Sequence, residues 1–324
     1  MKKLFFAALF VLFFIPLHAQ QHAAWITVLT NLDWPSKEST LIKDDAKRIE
    51  QQKLEFRHII NNFKDKGIKI VIMQVRPCSD RIWKLGDNAE PWSSYLTGTQ
   101  GKDPGYDPLA FAIKVTHEAG MEFHAGINPF RINTNKDAKL AASHPAVKNP
   151  GLRVNYGAQA YYDPGQKEVR DLALKAIRNI VQNYNVDAIH LDDYFYPYKE
   201  RDANTKEVLS FKSKNPNETA DQRRGFVTDF VKSAHAVVKA ENAKGKKIEF
   251  GVSPFAINKK GEIAGISQGT ADTYNDMYAD VAGWAKAGYV DYVVPQIYWS
   301  RTNKAAPFGP VLEWWKAFKK ITLK

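Results

Sequence analysis

Apolar residues fall in short blocks along the chain, and most blocks open just after a glycine. "KDKGIKIVIMQV", "HEAGMEFHAGIN" and "AKAGYVDYVVPQ" share one layout: a helical pattern stops at Gly67, Gly120 or Gly288, and a run of strand formers follows at once. Glycine at such a place suits a left-handed helix cap. "NYNVDAIHLDD", with Asn185 as the cap, and "AKGKKIEFGVS", with Gly245, repeat the layout loosely, and "HAAWITVL" adds a strand near the start. The pattern therefore predicts six strands. Helices are predicted between them. Over residues 44–66, Ile49, Phe56, Ile60 and Phe63 recur near helical spacing. Asp107-Pro108 and Asp163-Pro164 each read as an N-cap followed by the first helical position. Further helices are expected over about 220–242, 276–287 and 310–320.

Strand–helix alternation with apolar strands predicts an α/β fold with a parallel sheet and outer helices. Six units in one chain favour a TIM-type (β/α)8 barrel. A closed barrel needs eight strands, so the expectation is a barrel truncated after the sixth βα unit. Long polar loops, about 76–106 and 199–220, follow the second and fourth strands and are expected to wall a cleft.

The first nineteen residues, "MKKLFFAALFVLFFIPLHA", change the domain picture. A basic start, a short apolar run and a small residue at Ala19 form a secretory signal. No Cys follows the run, which argues against a lipid anchor, and no later segment is apolar enough to span a bilayer. The expected domains are 1–19 as signal peptide and 20–324 as the barrel, in an exported protein, periplasmic or secreted. Cys78 is the lone cysteine, so no internal disulfide can form. The formal charge is +11. A basic exported protein favours anionic polymers, including cell-wall glycans, and no nucleic-acid motif is present.

Active sites of parallel barrels use the C-terminal strand ends, and alternate side chains point inside. Period two puts Gln74 and Arg76 inward on the second strand, His124, Gly126 and Asn128 on the third with Arg131 beyond, and His190 and Asp192 on the fourth. Gly251 and Ser253 follow on the fifth, then Gln296 and Tyr298 on the sixth with Trp299 at the rim. Asn31, Asp33 and Trp34 come after the first strand, at the same end. Trp34, Trp92, Tyr194, Phe195, Tyr196 and Tyr198 supply flat faces beside hydrogen-bonding groups, a combination suited to sugar rings.

Glycoside hydrolysis needs two carboxyl groups. "DAIHLDDYFYPY" offers Asp192 facing inward, as nucleophile or base, and Asp193 facing the loop, as acid or as an orienting group. Asp33 is the third candidate and Glu90, on a loop, the fourth. Other chemistries fit less well. No His-x-His or His-Glu-x-x-His spacing marks a metal site, so neither metal nor cofactor is expected. "GVSPF" around Ser253 lacks the Gly-x-Ser-x-Gly elbow of a serine hydrolase.

Nine stretches, among them "AAWITVLTNLDWP", "MQVRPCSDRIW", "EPWSSYLTG", "DAIHLDDYFYPY" and "VVPQIYWS", occur in the order seen in the bacterial glycosyl-hydrolase-like 10 family, and the chain resembles that family over nearly all of residues 20–324. The resemblance implies a TIM barrel, export to the periplasm and a role like that of a division-associated glycosidase. Its substrate would be peptidoglycan glycan strands lacking stem peptides. It also supports Asp192 and Asp193 as the acidic pair. Asn31, Trp34, Gln74, Arg76, Trp92, His124, Asn128, Arg131, His190, Tyr194, Tyr196, Ser253, Gln296, Tyr298 and Trp299 are the candidate substrate contacts. Arg76 or Arg131 would pair with the lactyl carboxylate of peptide-free muramic acid. Two departures stand out. The family continues through two more strands, and its "SPFGIWRN" reads "SPFAINKK" here, which removes an aromatic and an Arg from one subsite. A non-catalytic glycan-binding barrel and a hydrolase of another polysaccharide are the alternative readings.

Overall fold

The computed structural model describes residues 22–87, 89–192, 195–202, 204–267, 269–318 and 322–324. Among them are the strands β1 (Ala23–Ile26), β2 (Ile70–Arg76), β3 (Glu122–Ile127), β4 (Arg131–Asn133), β5 (Arg153–Tyr156), β6 (Gln159–Tyr162), β7 (Ala188–Leu191), β8 (Glu249–Val252), β9 (Tyr292–Val293) and β10 (Thr322–Leu323). Seven form one all-parallel sheet in the order β1-β2-β3-β7-β8-β9-β10. The first six of these are the expected strands. The seventh, β10, is two residues long and was not foreseen. Nor was the small antiparallel sheet β4-β6-β5, whose β5–β6 hairpin turns at Gly157 (φ +57°).

The main sheet is curled. Trp25 on β1 meets His190 on β7, three strands away, with ring centroids 5.1 Å apart. Tyr292 on β9 reaches His124 on β3, also three strands away, at 2.9 Å. Strands in a flat sheet sit about 4.8 Å apart, so three steps would separate these backbones by about 14 Å. Curling brings them into one interior. The sheet's outer strands, β1 and β10, each pair on one side among the described residues, so the barrel is open between them.

Val71, Met73, Val75, Ile189 and Leu191 are fully buried on the helix-facing side, as period two requires. The helices are amphipathic and well capped. Asp44 and Asp107 accept backbone N–H groups at the starts of Asp45–Asp65 and Pro108–Glu118, and Thr219 with Gln222 forms a capping box before Ala220–Asn242. Gly67, Gly120 and Gly288 take the expected left-handed conformation (φ +72°, +76° and +73°). One start differs. Asp163-Pro164 does not open a helix, which begins at Lys167. Asp163 is instead buried in the preceding turn, where its carboxylate accepts from the N–H groups of Gly165 (2.9 Å) and Lys214 (2.8 Å). No helix of the described residues is long and apolar enough to cross a membrane.

Candidate active site

At the C-terminal end of the curled sheet lies a cleft of about 600 Å³. Gln74, Asp192, Ser253, Gln296 and Tyr298 line it, from β2 and the segments just after β7, β8 and β9. These five were foreseen from period two. Trp25, Thr27, Phe308 and Lys324 also line it and were not. Trp25 was missed because its strand was read only as the first of the series and not by faces. Its alternation with the buried Ile26 carried the signal.

Asp192 follows β7 directly, and its backbone N–H donates to Ile127 O at 3.2 Å, so the strand pairing fixes where the carboxylate starts. It is half-buried. Gln74 accepts from the Leu29 N–H (3.2 Å), and Gln296 donates to the Ser253 carbonyl (3.0 Å). Both amides are thereby held in place. Tyr298 is 84% exposed at the rim. Trp299 packs edge-on against Phe255, and Tyr198 meets the same ring from another side. Asp193 and Tyr194 lie outside the described residues.

Beneath the cleft floor, four fully or almost fully buried polar residues form a hydrogen-bonded chain. Ser253 Oγ lies 2.6 Å from His190 Nε2, His190 Nδ1 is 2.9 Å from the Tyr292 hydroxyl, and that hydroxyl is 2.9 Å from His124 Nδ1. His124 Nε2 then meets the Glu122 carboxylate at 3.1 Å. Burial holds the His190 imidazole well below its ordinary range, helped by the nearby His124 and Lys324. Burial likewise holds the Tyr292 phenol well above its own. Tyr292 was not foreseen as functional. A Tyr in an apolar run looks like core until the curl brings it across the barrel.

Several expected contacts stand elsewhere. Trp34 is core: it packs edge-on against Phe56 and donates from Nε1 to Gln52 O (2.9 Å). Trp92 is buried beneath the Arg81 guanidinium, 3.9 Å from the ring centroid. Phe195 packs on Trp284, and Tyr196 lies between Phe211 and Tyr278. These rings are core residues, not cleft walls. Asn31 pins the loop after β1 by donating to Pro35 O and Tyr95 O, each at 2.8 Å. Asp33 is exposed and accepts from the Thr27 N–H at 2.7 Å, which places it one residue contact from the cleft wall.

Arg76 departs furthest from expectation. A register shift between Gln74 and Arg76 interrupts the period-two pattern of β2. The guanidinium is fully buried and grips Glu90 through Nε (2.8 and 3.1 Å) and Nη2. Its Nη1 donates to Asn128 O (2.7 Å) and Pro129 O (2.8 Å). Burial works against the charge, but the Glu90 carboxylate outweighs it and holds Arg76 above its ordinary range. Arg76 is thus committed within the protein and does not meet a substrate carboxylate, and Glu90 is its counter-ion. Asn128 accepts from the Arg131 N–H (2.9 Å), and Arg131 itself belongs to β4, almost fully buried.

One trio among the described residues brings potential metal-binding atoms together, Glu122, His124 and Glu249, within 4.8 Å of one another. The Lys324 ammonium lies beside them, paired with Glu249 and 3.8 Å from Glu122. It supplies the positive charge there.

A polar, aromatic-edged cleft with a carboxylate, set at the C-terminal end of a curled parallel sheet, defines the class: a glycoside-hydrolase-like α/β barrel protein. The glycosyl hydrolase-like 10 family matches residues 20–323, and the chain belongs to that family. It is 38% identical over 301 residues to Glycosyl hydrolase YngK of Bacillus subtilis (strain 168), across 90% of this chain and 57% of that one. It is 30% identical over 316 residues to Glycosyl hydrolase DigH of Escherichia coli (strain K12), across 92% of this chain and 70% of that one. The chain therefore spans just over half the length of the Bacillus relative. Among solved structures, the PgaB (BpsB) glycoside hydrolase domain from Bordetella bronchiseptica is similar over 85% of this chain and 73% of that one, at 12% identity and a TM-score of 0.48.

Proposed function

We propose that this chain is an exported glycosidase that cleaves peptidoglycan glycan strands lacking stem peptides, with Asp192 as nucleophile or base and Asp193 as its acid partner. Asp33 is the alternative acid. The observation that carries the reading is the cleft itself: Asp192 stands among Gln74, Ser253 and Gln296, with Trp25 and Tyr298 as flanking rings. Amides and hydroxyls address sugar hydroxyls, and rings cover the apolar faces of pyranoses. Asp192 would either attack the anomeric carbon or take a proton from the attacking water, while the acid protonates the departing oxygen. The anomer formed first separates these two routes. The secretory-signal pattern of residues 1–19 supports export as location, and the formal charge of +11 supports an anionic wall polymer as partner.

A panel of glycans tests the substrate. Amidase-stripped sacculi, intact sacculi and chitin oligomers are incubated with the full chain, and released fragments are measured by mass spectrometry. Release from stripped sacculi well above the other two supports the reading. Equal release from intact sacculi, or release from chitin alone, contradicts it. One observation favours a binding role instead: among the described residues lining the cleft, Asp192 is the one carboxylate. Retention on stripped sacculi with no release of fragments would establish that role.

A further inference from the structure

The geometry points to Ser253 as the specificity-determining acceptor of the cleft floor: a buried chain running from Glu122 to Ser253 holds the serine hydrogen inward, so its oxygen takes a hydrogen bond from a sugar hydroxyl or acetamido N–H. The inference rests on the glycan reading for the identity of the ligand. The orientation of Ser253 rests on the chain alone.

The direction of each bond follows from the one before it. The Glu122 carboxylate is held below its usual range, first by the His124 hydrogen bond and further by Lys324, so it is ionised and can only accept. His124 Nε2, 3.1 Å away, must therefore carry a hydrogen. A neutral imidazole has one hydrogen, and with that hydrogen on Nε2 the Nδ1 of His124 is an acceptor. Nδ1 thus takes the hydrogen of the Tyr292 hydroxyl, 2.9 Å away. A phenol has one hydrogen, so Tyr292 can only accept from His190 Nδ1, also at 2.9 Å. That places the single hydrogen of neutral His190 on Nδ1 and leaves a lone pair on Nε2. Ser253 is 2.6 Å from that lone pair and donates to it. Ser253 lines the cleft, and with its hydrogen committed to His190 its oxygen has only lone pairs to offer there.

Two features show that the chain is built and not incidental. His124, His190 and Tyr292 are each fully buried, where an unmade hydrogen bond would be costly. Gly251 makes room for it: a Cβ there would fall 2.2–2.4 Å from the Tyr292 ring. Tyr292 touches no substrate. It is a positioning residue that passes the polarity of Glu122 to Ser253.

Two measurements on the full chain test the inference. Long-range 1H–15N spectra report which imidazole nitrogen carries hydrogen. Hydrogen on Nδ1 of His190 and Nε2 of His124 is expected, and Tyr292→Phe should move the His190 hydrogen toward Nε2. Hydrogen on Nε2 of His190 in the unaltered protein overturns the orientation. Binding to amidase-stripped glycan strands then reads the consequence. Ser253→Ala should weaken binding by about tenfold, the worth of one hydrogen bond, while Ser253→Thr, which keeps the hydroxyl, should restore most of it. Undiminished binding by Ser253→Ala overturns the recognition role. An unaltered chain that binds no stripped strands overturns the glycan reading and Ser253's ligand with it, and the imidazole spectra still decide the orientation.

Discussion

Replacing Glu90 by Gln should destabilise the protein without touching its chemistry. In the folded chain the Arg76 guanidinium is 0% exposed and the Glu90 side chain 4% exposed, so their pairing is close to dry. Arg76 holds Glu90 through Nε and Nη2, while Ser79 donates to the same carboxylate at 2.8 Å. Glu90→Gln leaves the oxygen acceptor but removes the charge that makes a buried guanidinium tolerable. Breaking a buried pair from one side costs about 3–5 kcal/mol. Arg76→Met is expected to cost at least as much, because it also strips hydrogen bonds from the carbonyls of Asn128 and Pro129. Together with Glu90→Leu the loss should fall short of the two single losses added, with a coupling of about 2 kcal/mol or more. Urea unfolding followed by far-UV circular dichroism reads each difference as a shift in midpoint at constant slope. The reasoning is refuted if Glu90→Gln stays within about 0.5 kcal/mol of the parent while glycan cleavage collapses. Glu90 would then be a chemical group and not a counter-ion.

Two buried groups give pH predictions of opposite sign. Burial pushes the Asp80 carboxyl up to about 6 from 3.8, so the folded state resists its ionisation, and a penalty of about 3 kcal/mol develops as pH rises through that window. Asp80→Asn should therefore raise the unfolding temperature at pH 8 and leave it unchanged near pH 3.5; a loss at pH 8 would contradict this. Burial pushes His144 down to about 4 from 6.5, so its neutral form is favoured in the fold, and about 3 kcal/mol is lost as pH falls between those values. Asn in its place keeps the cap on the Ala146 N–H, now made by His144 Nδ1 at 3.1 Å. His144→Asn should flatten the acid limb of the stability profile between pH 6.5 and 4, and an unchanged limb would refute the assignment.

The strands and their inner faces were legible because both rest on local rules. Glycine caps, apolar runs and period two located β1, β2, β3, β7, β8 and β9, and placed Gln74, Asp192, Ser253, Gln296 and Tyr298 at one cleft. What the local rules miss is set by partners distant in sequence. Arg76 looks like a cleft residue by alternation, yet a register shift and a carboxylate fourteen residues on turn it into an internal strut. Trp34 looks like a sugar platform, yet Gln52 and Phe56 on the next helix claim it. The His124–Tyr292–His190 chain exists only because the sheet curls, and no periodicity encodes curl. β10 is too short to leave a pattern, and β4, β5 and β6 lie in a stretch between the third strand and Asp163 whose pattern predicted no strand.

The most direct test of the central claim is Asp192→Asn. Asp192 is half-buried at the cleft and Asn matches it in size and shape, so the substitution should leave the fold and its circular dichroism unchanged. Fragment release from amidase-stripped sacculi, followed over time by mass spectrometry, should fall by about 10³-fold or more, while strands are still bound. Fragment release at the parent rate from a correctly folded Asp192→Asn chain would contradict the account.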